Sequence, residues 1–137
     1  MKILLIDDDP YWSNGLIRSL RFENWDVHYA TSPSEGVRIL REASALSRPF
    51  DVILLDVMMP ADTETPEARH RGGHGTGLSL LRRIQSMGPG NTKIILLTAR
   101  QDIEASEYEG MAIAYLRKNQ PTLTVIAAIR DLELNRQ

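Results

Sequence analysis

The chain has no cysteine. That excludes disulfides, zinc–thiolate centres and thiol nucleophiles, and it is consistent with a cytoplasmic protein. It also has no excess charge of either sign. Lys and Arg number 16 and Asp and Glu 18, a net charge of -2, so no bulk field draws the chain to nucleic acid or to an anionic membrane. There is no long apolar run. Ile3-Leu4-Leu5-Ile6, near the N-terminus, is too short for a signal-peptide core or a membrane span, and it runs straight into three acids. We find no internal repeat and no domain linker. The length of 137 residues, 42% of them hydrophobic, suits one domain with its own core.

What the chain does have is a set of short apolar runs, each ending on a polar residue. Val52-Ile53-Leu54-Leu55 ends on Asp56. It shows no alternation and reads as a strand buried on both faces, as in a parallel sheet. Ile3 to Ile6 ends on Asp7-Asp8-Asp9, and Ile94 to Leu97 ends on Thr98. Two weaker strands are expected, one from Asn24 to Ala30 and a last one from Ala112 to Leu116, followed by Lys118.

Helical patterns fill the gaps. Pro10 suits a first helical turn, with Asp9 as its N-cap, and Leu16, Ile17 and Leu20 supply a buried side. Ser32-Pro33-Ser34-Glu35 has the capping-box form and leads into Val37, Leu40 and Ala43. Leu78, Leu80, Leu81 and Ile84 make a third helix. Gln101 to Tyr108 makes a weak, polar fourth, and Pro121 opens a fifth with Val125, Ile126, Ile129 and Leu132 inward. Five βα units imply a parallel sheet covered on both faces. The expected fold is therefore α/β, a flavodoxin-like (βα)5 doubly wound sheet with strand order 2-1-3-4-5.

One segment breaks the pattern. Residues 61–77 hold no large apolar side chain, but they hold four glycines and Asp62, Glu64, Glu67, Arg69, His70, Arg71 and His74. Such a stretch is expected to be a long mobile loop. His70 and His74 lie four apart without a helix to fix them, which is poor ground for a metal site. The glycines from Gly72 to Gly77 lack the lysine and hydroxyl of a phosphate loop.

The expected strand order sets Asp7 and Asp8 beside Asp56 at the carboxyl edge, where open α/β sheets gather ligands. Three carboxylates there repel one another unless a cation joins them, and a hard divalent ion such as Mg2+ suits oxygen ligands. Thr98 and Lys118 reach the same edge, and both suit anionic oxygens. Metal, carboxylate, hydroxyl and ammonium together make a phosphoryl-transfer site in which a carboxylate can be the nucleophile.

Ile3 to Pro10, Asp51 to Pro60, Leu96-Leu97-Thr98-Ala99 and Tyr115-Leu116-Arg117-Lys118 together resemble the receiver domain of bacterial two-component response regulators. The resemblance covers nearly the whole chain and breaks only at 61–77. It implies that Asp56 accepts a phosphoryl group from a phosphohistidine on a histidine kinase or phosphotransfer protein. It implies that Asp7, Asp8, Asp56 and the backbone carbonyl of Met58 hold Mg2+, for which Mn2+ could substitute, with Asp7 acting mainly through water. Thr98 and Lys118 would contact the phosphoryl oxygens, and Thr98 and Tyr115 would be the switch pair. Phosphorylation would change the surface made by the fourth helix, fifth strand and fifth helix, and with it affinity for a downstream protein. The resemblance further implies a single-domain switch ending after the fifth helix, without direct DNA binding or membrane insertion, a monomer or a phosphorylation-dependent dimer. It would catalyse only its own phosphorylation and dephosphorylation.

Tyr115 could be simple packing, and Trp12 could either pack on the sheet or, with Tyr11, meet a partner. A haloacid-dehalogenase-type phosphatase also uses an aspartyl nucleophile, but it wants a second Asp where Met58 stands. A degenerate receiver acting as a constitutive binding module would not need Asp7, Asp8, Asp56, Thr98 and Lys118 intact. Two departures from the receiver pattern remain. The long loop could screen an aspartyl phosphate, contact a kinase or be inert. Asn119 follows Lys118 where receivers usually have proline, often after a cis bond. A cis bond before Asn would cost ~3 kcal/mol, so a trans peptide is expected.

Overall fold

The computed structural model describes residues 1–66, 75–88, 90–99, 110 and 112–135. The element order is β1 (Lys2–Ile6), α1 (Pro10–Phe22), β2 (Asp26–Ala30), α2 (Pro33–Ala45), β3 (Val52–Asp56), α3 (Thr76–Ser86), β4 (Lys93–Thr98), β5 (Ala114–Arg117) and α4 (Thr122–Leu134). The strands form one parallel sheet in the order β2-β1-β3-β4-β5, as the βα alternation predicts. The fourth helix expected over 101–108 lies outside the described residues.

The unbroken apolar runs are explained by the two layers that cover the sheet. Leu4, Ile6, Ile53, Leu55, Ile94 and Leu96 point one way and pack with Val37 of α2 and Leu80, Leu81 and Ile84 of α3. Ile3, Leu5, Val52, Leu54, Ile95 and Leu97 point the other way, against Leu16, Ile17 and Leu20 of α1 and Val125, Ile126 and Ile129 of α4. A strand with helices on both sides has no polar face to show, so the period-2 pattern disappears.

The caps behave as their residue types dictate. The Asp9 side chain accepts from the Tyr11 and Trp12 amides and starts α1. Ser32 Oγ accepts from the Glu35 amide, while Glu35 reaches back one residue further than a capping box requires, to the amide and hydroxyl of Thr31. β2 begins at Asp26, two residues later than expected, because Asn24 takes a left-handed turn with φ 65°. β5 likewise runs two residues later at its start and one at its end.

The loop after β3 differs from expectation at both described ends. α3 starts at Thr76, with Thr76 and Gly77 already buried. Gly77 donates its amide to the Val57 carbonyl at 3.1 Å, and a Cβ on it would lie 2.6 Å from Val57 Cα. Only glycine permits this approach, and it ties the start of α3 to the exit of β3. At the other end, Asp62 accepts from the Ser34 amide and from the Glu64 amide, and Thr65 Oγ1, fully buried, accepts from the Asp62 amide. Glu64 pairs with Arg83 of α3 at 3.1 Å and with Arg41 of α2 at 3.7 Å. The start of the loop is therefore pinned to both neighbouring helices. Arg69, His70, Arg71 and His74 lie outside the described residues.

Candidate functional site

β1 and β3 are adjacent and in register, with Ile6 opposite Leu55. One residue further along each strand stand Asp7 and Asp56. By the alternation of the pleat both lie on the α1/α4 side of the sheet. Both are almost wholly buried, at 0% and 2% exposure, while Asp8 is exposed. Each of the three offers a carboxylate oxygen within 4.8 Å of the others. The Asp56 carboxylate accepts from the Met58 amide at 3.0 Å, and the Asp7 carboxylate from the Asp9 amide at 2.8 Å. Those bonds hold one oxygen of each carboxylate and leave the other free to face its neighbours.

Lys118 completes the cluster. Its amide donates to the Thr98 carbonyl at 2.6 Å, which places it one step beyond the end of β5. Its Nζ lies 2.5 Å from Asp7 Oδ2 and 3.3 Å from Asp56 Oδ2. The Lys118–Asn119 peptide is trans, as expected without the proline, and the ammonium reaches the cluster nonetheless. Thr98, fully buried, ends β4 at the same edge.

Burial dominates the electrostatics of the two inner carboxyls. Burial, reinforced by the charge of Asp7, pushes the Asp56 carboxyl up to about 8. Burial also raises Asp7, against the opposing pull of Lys118. Burial works against the Lys118 ammonium, but Asp56 and Asp7 outweigh it and raise its pKa. Burial therefore disfavours the charged form of both carboxyls even with an ammonium beside them. A hard divalent cation fits that all-oxygen donor set.

A model of the response regulator receiver domain matches residues 3–130. The chain belongs to the response regulator receiver family. It is 34% identical to the response regulator MprA of Mycobacterium leprae over 134 residues, covering 96% of this chain and 50% of that protein. It is 30% identical over 104 residues to the probable transcriptional regulatory protein TcrX of Mycobacterium tuberculosis, covering 76% of this chain and 36% of that one. The chain thus spans about half the length, or less, of these curated relatives. Among solved structures it resembles a receiver domain protein from Clostridium thermocellum, with TM-score 0.74 and 27% identity over 96% of this chain and 92% of that one. The BeF3-activated N-terminal receiver domain of Klebsiella pneumoniae RstA superposes with TM-score 0.73 at 23% identity, covering 100% of both chains.

A receiver domain is a module of phosphorylation-dependent signalling in two-component systems and not a metabolic enzyme. No helix among the described residues is long and apolar enough to cross a membrane. The structure brings together Asp7, Asp8, Asp56 and Lys118, the charged residues expected at this edge. Trp12, for which the sequence leaves sheet packing and a partner contact both open, also reaches them. Trp12 stands in the first turn of α1, half-buried, packed against the α1/α4-side core. Its ring lies under the Lys118 ammonium, 4.6 Å from Nζ to the centroid, and its Nε1 donates to the Lys118 carbonyl at 3.4 Å. Nothing in the residue order could have linked positions 12 and 118. Tyr11, by contrast, is 94% exposed. Tyr115 is half-buried in β5 and packs on the α2/α3-side core. It is the register partner of Leu96, and Thr98 stands two residues beyond Leu96, on the same face of the sheet.

Proposed function

We propose that Asp56 is the phosphoacceptor of this receiver domain and takes a phosphoryl group from a phosphohistidine. The observation that carries the reading is the buried Asp56 at a strand end, with Asp7, Asp8 and Lys118 converging on it. Asp7, Asp8, Asp56 and the Met58 carbonyl would hold Mg2+, with Mn2+ as a substitute. The cation supplies charge neutralisation for the carboxylates and for the transferring phosphoryl group. One oxygen of Asp56 is tied to the Met58 amide, so the other is the nucleophile. It forms a bond to phosphorus as the phosphorus–nitrogen bond of the donor breaks, and the electron pair stays on the imidazole nitrogen, which takes up a proton. Lys118 neutralises one phosphoryl oxygen, and the Thr98 hydroxyl donates to another. In the structure the same lysine pairs with Asp7.

The output is a change of binding affinity. Movement of Thr98 toward the phosphoryl group opens space on the face it shares with Tyr115, whose ring turns inward. That alters the surface to which β5 and α4 contribute, which a downstream protein reads; the fourth helix expected in that surface falls outside the described residues. We take residues 1–137 as one receiver domain, with the segment between β3 and the start of α3 at Thr76 longer than the receiver pattern. The test is incubation with Mg2+ and acetyl phosphate or beryllofluoride. Wild type is expected to gain one aspartyl phosphate or adduct and Asp56→Asn none. An unmodified wild type would end this reading, and steady turnover of unrelated phosphate esters would favour a phosphatase instead.

A further inference from the structure

The Lys118 side chain is long, and its ammonium is held by the two carboxylates of the cluster. Its aliphatic stem has four rotatable bonds, and the backbone beyond it lacks a proline ring to set the turn. The structure supplies a different restraint. Trp12 takes hold of Lys118 at both ends: the indole face lies against the ammonium, and Nε1 hydrogen-bonds the backbone carbonyl. Trp12 is itself fixed, because Asp9 caps the helix turn that carries it and the core packs against its ring. The Lys118 side chain is only about one-tenth exposed, so the cation–ring contact is largely shielded from water and correspondingly strong.

We propose that Trp12 is the positioning residue for Lys118, keeping its ammonium at Asp56 whether or not Asp7 is free to hold it. This rests on the reading of Asp56 as phosphoacceptor. In the structure the ammonium leans on Asp7 Oδ2, closer than on Asp56 Oδ2. On that reading Asp7 also serves a divalent cation, mainly through its water shell, and one carboxylate oxygen cannot hold both a metal-bound water and the ammonium closely. When the ammonium gives up Asp7, the ring remains: it carries no formal charge, binds no hard metal and attracts the ammonium. Trp12 therefore gives Lys118 a seat that the metal does not compete for.

Two measurements test this, with Trp12→Leu, Trp12→Phe, Lys118→Ala and the double variant Trp12→Leu/Lys118→Ala. The first is NMR of the metal-free protein with labelled lysine. The Lys118 ε-methylene is expected to be ring-current shifted in wild type and Trp12→Phe, and its order parameter to fall in Trp12→Leu, where an unchanged order parameter would show that the ring does not restrain the lysine. The second is beryllofluoride affinity at saturating Mg2+. Trp12→Leu should weaken it about tenfold and Trp12→Phe about twofold, since phenylalanine keeps the ring but not the N–H donor. On the Lys118→Ala background the same Trp12→Leu change should cost less than about twofold, because the two residues act as one unit. Equal fold losses on both backgrounds, or no loss on the wild-type background, would overturn the positioning role. If Trp12→Leu fails to fold, Trp12→Phe decides: a lysine signal at the ordinary position, or an affinity equal to wild type, overturns it. Wild-type protein that binds no beryllofluoride at all overturns the phosphoacceptor reading and this one with it, an outcome distinct from the others.

Discussion

Asp7 and Asp56 stand opposite each other, one residue past the register partners Ile6 and Leu55. Both are buried, and both retain protons above the ordinary carboxylate range because of that burial. The site is built under electrostatic stress that one lysine only partly relieves.

The stability of the metal-free protein should fall as pH rises from about 5 to 8. Asp56 titrates near 3.8 unfolded and at about 8 folded. Between those values the native state binds more protons than the unfolded state, so each step up in pH favours unfolding. Stability attributable to the neutral carboxyl is complete below the unfolded pKa and lost as pH passes the folded one. Thermal melts without metal should show this slope, and Asp56→Asn should flatten it. A melting temperature that climbs steadily over that window in the wild type would contradict the assignment.

Magnesium should protect the fold more at high pH than at low. A cation must displace a proton from Asp56 at pH 5.5 but little at pH 8.5, so apparent affinity rises with pH. Titration of melting temperature with MgCl2 at the two pH values measures this. Asp7→Asn should weaken the effect at both.

Removing the ammonium should hurt more than removing a carboxylate. Lys118→Met leaves Asp7 and Asp56 buried against each other with no cation, and we expect a loss of about 2 kcal/mol in metal-free stability near neutral pH. Added Mg2+ should recover much of it. Urea melts with and without the metal separate this electrostatic cost from lost packing, which Mg2+ would not restore.

Gly77→Ala should destabilise the domain by about 2 kcal/mol, even though the residue is far smaller than its neighbours. Its Cβ would meet backbone atoms of Val57, at 2.6 Å from Cα and 2.7 Å from O, and backbone cannot rotate away. The displaced turn carries Met58, whose amide holds Asp56. Phosphorylation by acetyl phosphate should slow along with the drop in stability. An alanine variant as stable as wild type would show that the close approach is not needed.

Cutting the loop anchor should cost less. Asp62→Ala removes the acceptor for the Ser34 and Glu64 amides, a cap-like contact worth about 1 kcal/mol. The measurement is the urea midpoint, and the adduct at Asp56 should still form. Loss of the adduct with an unchanged midpoint would instead give the loop a direct part in the chemistry.

Much of this molecule was legible in the residue order. β1, β3 and β4 announce themselves because a strand covered on both faces is apolar throughout, and Asp7, Asp56 and Thr98 stand out because each ends such a run. Asp9 and Ser32 mark their helices by the same chemistry that caps them. The stretch after Pro60 was misjudged at its described ends. Its anchors are short polar side chains, Asp62 and Thr65, and a glycine chosen for its lack of a Cβ. None of these leaves an apolar signature, so composition alone suggested a loop held by nothing.

The sequence by itself determined the βα alternation, the two-sided core and the identity of the charged groups at the sheet edge. These follow from local rules: hydrophobic period, capping and the end of an apolar run. Only the tertiary structure decided how those groups meet. The register of β1 on β3 sets Asp7 against Asp56, and the β4–β5 pairing brings Lys118 between them. The packing of α1 lays Trp12 along Lys118, 106 residues away in the chain. Contacts between distant segments depend on packing across the whole core, and no local pattern encodes which indole will lie under which ammonium.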